Sequence, residues 1–193
     1  MRPIMVEFTG TPEAGKTTVI QKLRKILEEL NFKVHVIRES AELTPKELSK
    51  SSWDGTVWMR LITCSNILHS QYIPCDIVLI DRGAIDAKFY GLKYFKSNQC
   101  SIDDYISYMS MFTSKLNPNF LITLTANPEV ALARKGGSGK IVNAEFLEEY
   151  NNLLHSFYET VTIPKTLIDT SSMSIDDVTS QALEVISTLI KAR

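Results

Sequence analysis

Eight residues near the N-terminus, Gly10-Thr11-Pro12-Glu13-Ala14-Gly15-Lys16-Thr17, constrain the fold more than any other stretch of the chain. They follow an apolar run, Ile4-Met5-Val6-Glu7-Phe8, and open a helical pattern that continues to Leu30. Strand, glycine-framed loop and helix in that order are the setting of a phosphate-binding loop. Gly10 and Gly15 reach backbone angles closed to other residues, so successive N–H groups can turn inward around a polyphosphate. The helix starting near Lys16 adds its unpaired first-turn N–H groups and the positive end of its dipole. The pattern makes Gly10, Thr11, Pro12, Glu13, Ala14, Gly15, Lys16, Thr17 and Thr18 the nucleotide-binding residues. Lys16, a solvent-facing cation in this reading, reaches the β- and γ-phosphates, and the Thr17 hydroxyl ligates Mg²⁺. A glycine turn that only joins strand to helix is the plainer alternative, and the motif in its full context weighs against it.

The rest of the composition narrows the class. With 193 residues, the chain suits one domain, 1–193, with a sizeable core. A formal charge of −1 with no basic tail gives no footprint for nucleic acid. No apolar run has membrane-spanning length, and the first apolar segment is too short for a signal peptide and is needed as a strand. Cys64, Cys75 and Cys100 are odd in number and lack C-x-x-C spacing. They argue against a disulfide framework or a zinc site, and for a reducing, cytoplasmic location.

Strand and helix patterns then alternate to the end, as in a parallel sheet covered on both faces, an α/β fold. Lys33 to Ile37 reads as the second strand, and Arg38-Glu39-Ser40 lies at its C-terminal end, where open α/β sheets bind ligands. Leu43 to Asp54 reads as loop with a short helix. A long helix from Gly55 or Thr56 to Tyr72 carries Trp58, Ile62, Ser65, Leu68 and Tyr72 on one stripe. Ile77 to Ile80 is a short apolar run, expected of a strand buried on both faces, and ends in Asp81-Arg82. Helices over Ala84 to Phe95 and Ile102 to Leu116, a strand over Phe120 to Thr125 and a short helix from Pro128 to Arg134 follow. Lys135-Gly136-Gly137-Ser138-Gly139-Lys140 is the most flexible composition in the chain. Ala144 to Tyr158, Thr166 to Asp169 and Ser174 to Lys191 read as helix, strand and closing helix.

Asp81, at the end of a buried strand, is placed to hold Mg²⁺ through water opposite Thr17; the alternative is a helix N-cap. Arg82 beside it suits bidentate binding of a phosphate or carboxylate, against a surface ion pair. The glycine-rich segment with Arg134 and Lys140 fits a mobile lid, about 134–143, that closes over phosphates, against a solvated loop. His35, His69 and His155 show no ligand spacing. Trp53, Trp58, Tyr90 and Tyr94 suit a core, although Trp58 falls near the mouth of the predicted site.

Taken in order, these residues resemble the thymidylate kinase group of P-loop kinases and, more distantly, the deoxynucleoside kinases. Phe8 through Thr18 is similar to that group's phosphate loop, Arg38-Glu39-Ser40 to its Arg-Glu-Pro turn, and Asp81-Arg82 to its Asp-Arg pair. Tyr90 falls at a later Tyr of that motif, and Arg134 to Lys140 at the lid. The resemblance implies a three-layer P-loop NTPase sandwich with a five-stranded parallel sheet in order 2-3-1-4-5. It also implies that Arg38 and Arg82 hold an acceptor phosphate, Arg134 the transferred one, and Trp58 and Tyr90 line the acceptor site. Gly83 stands where the group has an aromatic residue, Asp86 where it has Ser, Gly91 where it has Gln, and Ser40 where it has Pro. Its helical Phe and Arg, four apart, embrace the thymine base; four residues before Arg60 is Thr56, and four after Trp58 is Ile62.

The combined expectation is an ATP- and Mg²⁺-dependent kinase that phosphorylates a nucleoside monophosphate, with Lys16, Arg82, Arg134 and Glu39 as catalytic residues. Two alternatives stay open: a nucleoside kinase with Glu39 as general base, and an NTP-hydrolysing switch that works through a protein partner. The partners expected are small molecules, with neither nucleic acid nor membrane, and a homodimer is left open.

Overall fold

In the computed structural model, residues 2–136 and 143–193 are described. Strand β1 (Ile4–Gly10) runs into helix α1 (Lys16–Glu29), followed by β2 (Val34–Ile37) and α2 (Trp53–Ser70). β3 (Ile77–Asp81), α3 (Ala84–Lys96), α4 (Ile102–Ser110) and β4 (Phe120–Thr125) come next. α5 (Pro128–Lys135), α6 (Ala144–Thr160), β5 (Lys165–Asp169) and α7 (Ile175–Lys191) complete the order. Every strand pairing is parallel, and the sheet order is β2-β3-β1-β4-β5, the order expected.

The alternation along β1 divides the core. Val6 and Phe8 face α1 and α7, where Val19, Ile20, Leu23, Val178, Ala182 and Ile186 are all buried. Fully burying side chains of this size contributes about 1.5–3 kcal/mol each. The opposite face packs Val78 and Ile80 against Ile67 and Ala84 of α2 and α3. Because β1 lies between β3 and β4, its C-terminal end opens into the crevice that this topology reserves for ligands. The register sets Phe8 opposite Asp81 and Gly10 opposite Leu124, so the phosphate loop and Asp81 emerge side by side. Gly10 is irreplaceable there: its φ is +133°, and a Cβ would lie 1.8 Å from the Leu124 carbonyl oxygen.

Three expectations change. The inward face of α2 is not the apolar stripe: Leu68 and Tyr72 are 42% and 86% exposed. Thr56, Arg60, Thr63, Ile67 and Ser70 are buried instead. Polar side chains lie inward because α2 walls a cavity, so hydrophobic periodicity selects the wrong face. The helix expected over 102–116 ends at Ser110, and Ser114–Leu116 forms a separate 3₁₀ turn. α2 also starts earlier, at Trp53, where the Ser52 hydroxyl accepts the Gly55 N–H at 3.0 Å. Of the expected lid, Arg134 and Lys135 end α5 and Gly136 caps it with φ +86°. Residues 137–142, with Gly137, Ser138, Gly139 and Lys140, lie outside the described residues. Among the described residues, no helix is long and apolar enough to cross a membrane.

Candidate active site

The loop after β1 adopts a run of uncommon backbone angles, with φ of +133° at Gly10, +61° at Glu13 and +90° at Gly15. Gly15 is the left-handed N-cap of α1, which sends the first-turn amides of Lys16, Thr17 and Thr18 into the loop without intrahelical partners. Lys16 differs from its expected exposure. Only 5% exposed, it folds its ammonium back onto the Thr11 and Gly10 carbonyls at 2.8 and 3.3 Å. Burial, helped by the Arg82 charge, lowers its pKa to about 7. The ammonium thus stands in the place a phosphate oxygen would draw it from, held by neutral carbonyls that a polyanion outcompetes.

The Thr17 hydroxyl donates to Asp81 Oδ2 at 2.6 Å. Asp81 is 4% exposed, and its other oxygen, Oδ1, has no hydrogen-bond partner among the described residues. An orphaned carboxylate oxygen beside a hydroxyl, both hard oxygen donors at the phosphate loop, fits Mg²⁺. Among the described residues, no group of three His, Cys, Asp or Glu side chains could hold a metal. A cation here would therefore take its remaining ligands from water and phosphates.

Arg82 sits at φ +60°, a strained backbone conformation for a residue with a side chain. Its Nη1 donates to Asp86 Oδ1 at 2.9 Å and to the Tyr150 hydroxyl at 3.4 Å. Its Nε lies 3.1 Å from Glu39 Oε1, an ion pair by distance whose N–H is not aligned for a hydrogen bond. These carboxylates push the Arg82 pKa further up against its burial. Glu39, 34% exposed at its side chain, has its own pKa raised by burial, with Arg82 opposing. Tyr150 links the two halves of the site, since its hydroxyl also donates to the Gly10 carbonyl at 3.3 Å.

Beyond Arg82 lies a cavity of about 200 Å³ bounded by Glu39, Thr56, Arg60, Arg82, Tyr90 and Tyr108, among others. Arg60 is its chemical peculiarity. It is 1% exposed, and its guanidinium lies 4.1 Å from the Tyr108 ring centre and 3.9 Å from that of Phe112. None of its three guanidinium nitrogens has a hydrogen-bond partner among the described residues. Burial lowers its pKa, while Tyr108 and then the Cys64 thiol beside it oppose this.

Of the residues expected in the site, Lys16, Thr17, Asp81, Glu39, Arg82 and Tyr90 come together. Arg38 does not join this cavity. Exposed, it lines a second cleft of about 540 Å³ with Thr17, Arg24, His35 and Asp81. Trp58 is absent from the walls of both. Arg134 reaches the outer edge of the phosphate loop, bonding Thr170 at 2.7 and 2.9 Å and the Glu13 carbonyl at 3.4 Å. Arg60, Asp86, Tyr108 and Tyr150 are additions. An arginine on the polar side of an α2 pattern is the one sequence signal for Arg60; the others depend on tertiary contacts.

Phosphate loop, paired Thr17 and Asp81, and Arg82 beside them on a 2-3-1-4-5 sheet are the arrangement of a P-loop kinase, and the chain is similar to a thymidylate kinase. Over its full length it is 25% identical to the full length of a thymidylate kinase from Caldicellulosiruptor saccharolyticus (strain ATCC 43494 / DSM 8903 / Tp8T 6331). Residues 3–60 match the family described as Chromatin associated protein KTI12, a stretch that holds the phosphate loop. A deoxyadenosine kinase from M. mycoides with bound dATP superposes with a TM-score of 0.73 at 17% identity, over 97% of this chain and 100% of that one. The same enzyme with its products dCMP and a flexible dCDP gives 0.72 at 17% identity, over 96% and 100%. These structural likenesses show the shared fold.

Proposed function

We propose that this protein transfers the γ-phosphoryl group of ATP, with Mg²⁺, to the hydroxyl of a nucleoside. The observation that carries the choice of acceptor is the state of Arg82. Its Nε and Nη1 are engaged by two carboxylates, Glu39 and Asp86, and Arg38 faces the other cleft. A phosphate dianion would have to displace those carboxylates, whereas a neutral hydroxyl needs a carboxylate within reach. Glu39 on the cavity wall supplies one, and burial raises its pKa toward that of a useful base. In the step itself, Glu39 takes the acceptor proton, a new O–P bond forms to the γ-phosphorus, and the bond to the bridging oxygen breaks to release ADP. Lys16 and the α1 amides hold the charge that grows on the transferring group. Thr17 and Asp81 would hold Mg²⁺, which neutralises phosphate charge when bound.

A nucleoside monophosphate acceptor is the second reading, favoured by the full-length similarity to a thymidylate kinase. A screen of nucleosides and their monophosphates with ATP and Mg²⁺, followed by product identification, separates the two. On the nucleoside reading, Glu39→Gln lowers kcat by about 10²–10⁴-fold and Arg82→Ala is the milder change. A larger loss for Arg82→Ala, with a monophosphate as best acceptor, would reverse the choice. ATP turnover stimulated by no small acceptor would overturn the kinase reading itself.

A further inference from the structure

The central strand of a parallel sheet, buried on both faces, is expected to be continuously apolar. β1 is not: Glu7 and Thr9 are 0% and 2% exposed and, two residues apart, point to the same face, toward α3. Buried polar groups at such positions are costly unless fully paired. Here their partners converge on one residue. Glu7 Oε1 accepts the Asp86 N–H at 2.7 Å, and its Oε2 accepts the Ile85 N–H at 3.1 Å. These are first-turn amides of α3, whose own N-cap residue, Gly83, has no side chain to offer them. A carboxylate from β1 therefore caps α3 from behind, and it dictates Gly83: a Cβ there would lie 2.5 Å from Glu7 Oε2.

Thr9 holds the other end of the same residue. Its hydroxyl donates to Asp86 Oδ1, the oxygen that also accepts Arg82 Nη1 at 2.9 Å. The main chain of Asp86 is thus fixed by Glu7 and its carboxylate by Thr9. Arg82, at its strained φ of +60°, depends on that carboxylate for its aim.

We infer that Glu7 and Thr9 are positioning residues: the two buried polar side chains of β1 lock Asp86 by backbone and side chain, and through it set the direction of Arg82. Neither lines the acceptor cavity, so both act through Asp86. The effect on catalysis rests on the proposed kinase activity, whereas the immobilisation of Arg82 does not.

Two readouts test this on the intact protein. In a ¹⁵N-selective arginine spectrum, the Arg82 Nη–H signals are assigned by their loss in Arg82→Lys, and their hydrogen exchange is measured without substrate. Thr9→Val, nearly isosteric, and Glu7→Gln should each speed that exchange by about tenfold or more while the fold persists by circular dichroism. With the best acceptor, both should raise acceptor KM by about 5–20-fold and leave ATP KM within about twofold. On an Asp86→Asn background, Thr9→Val should add almost nothing, because the link it acts through is already cut. Unchanged Arg82 exchange in folded Thr9→Val overturns the inference, even if Glu7→Gln fails to fold. Equal rises in both KM values, or full additivity with Asp86→Asn, overturn it too. If wild-type protein phosphorylates no acceptor, the kinase reading falls and the exchange measurement alone decides.

Discussion

Arg60→Met should make the protein more stable and much less active, and the structure sets both magnitudes. Arg60 is 1% exposed with three unpartnered guanidinium nitrogens. A buried charge without a counter-ion carries a desolvation cost of several kcal/mol. The flanking Tyr108 and Phe112 rings, about 4 Å away, return about 1–2 kcal/mol each through cation–π attraction. Met has comparable length, no charge, and the flexibility to fill the slot between those rings. Replacing buried ionic groups with apolar side chains commonly stabilises by about 1–4 kcal/mol. For a chain of this size, that corresponds to a Tm about 2–16 °C higher. The same change removes three buried donors of the cavity that have no partner among the described residues, and should lower kcat/KM for the acceptor by about 10²-fold or more. Calorimetry of the substrate-free protein and steady-state kinetics on the best acceptor measure both. A lower Tm for Arg60→Met would show that the guanidinium is a structural strut, and would refute the claim that it is held ready for substrate.

Lys16→Ala should lower turnover by about a hundred-fold or more with the fold intact, since among the described residues its ammonium hydrogen-bonds only the Gly10 and Thr11 carbonyls. Because the Lys16 pKa is lowered to about 7, ATP binding near pH 8 should take up a proton, seen as a buffer-dependent heat in titration calorimetry. Burial raises the Glu7 carboxyl to about 7, so its contribution to stability is full below its ordinary value of 4.5 and is lost as pH rises through about 7. Urea unfolding from pH 4 to 8 should therefore show wild type losing about 3 kcal/mol relative to Glu7→Gln, from a shift of about 2.5 pH units at 1.36 kcal/mol each. Asp81→Asn should raise the Mg²⁺ concentration needed for half-maximal activity by about tenfold or more, and an unchanged requirement would remove Asp81 from the metal site.

What the sequence reveals and what it conceals divide along a physical line. The phosphate loop is local: strand, glycines, lysine and helix are contiguous, so their geometry follows from spacing. Asp81 is legible for a similar reason, as the polar end of an apolar run. The acceptor side is legible only in outline, because its geometry is set by pairs distant in sequence. Gly83, Asp86 and Gly91 look like three separate departures from the thymidylate kinase pattern, yet each answers to a partner. Gly83 makes room for Glu7, and Asp86 is held by Glu7 and Thr9, some eighty residues earlier. Gly91 leaves space for Tyr108, since a Cβ there would lie 2.5 Å from that ring. Tyr108 in turn carries Arg60 on its face. Hydrophobic periodicity fails on α2 for the same cause: a helix that walls a cavity can turn arginine and threonines inward and leave leucines outside. The departures are therefore coupled. Restoring one family residue alone, such as an aromatic at Gly83, would drive its Cβ into the Glu7 carboxylate, so a change at one of these positions requires a change at its partner.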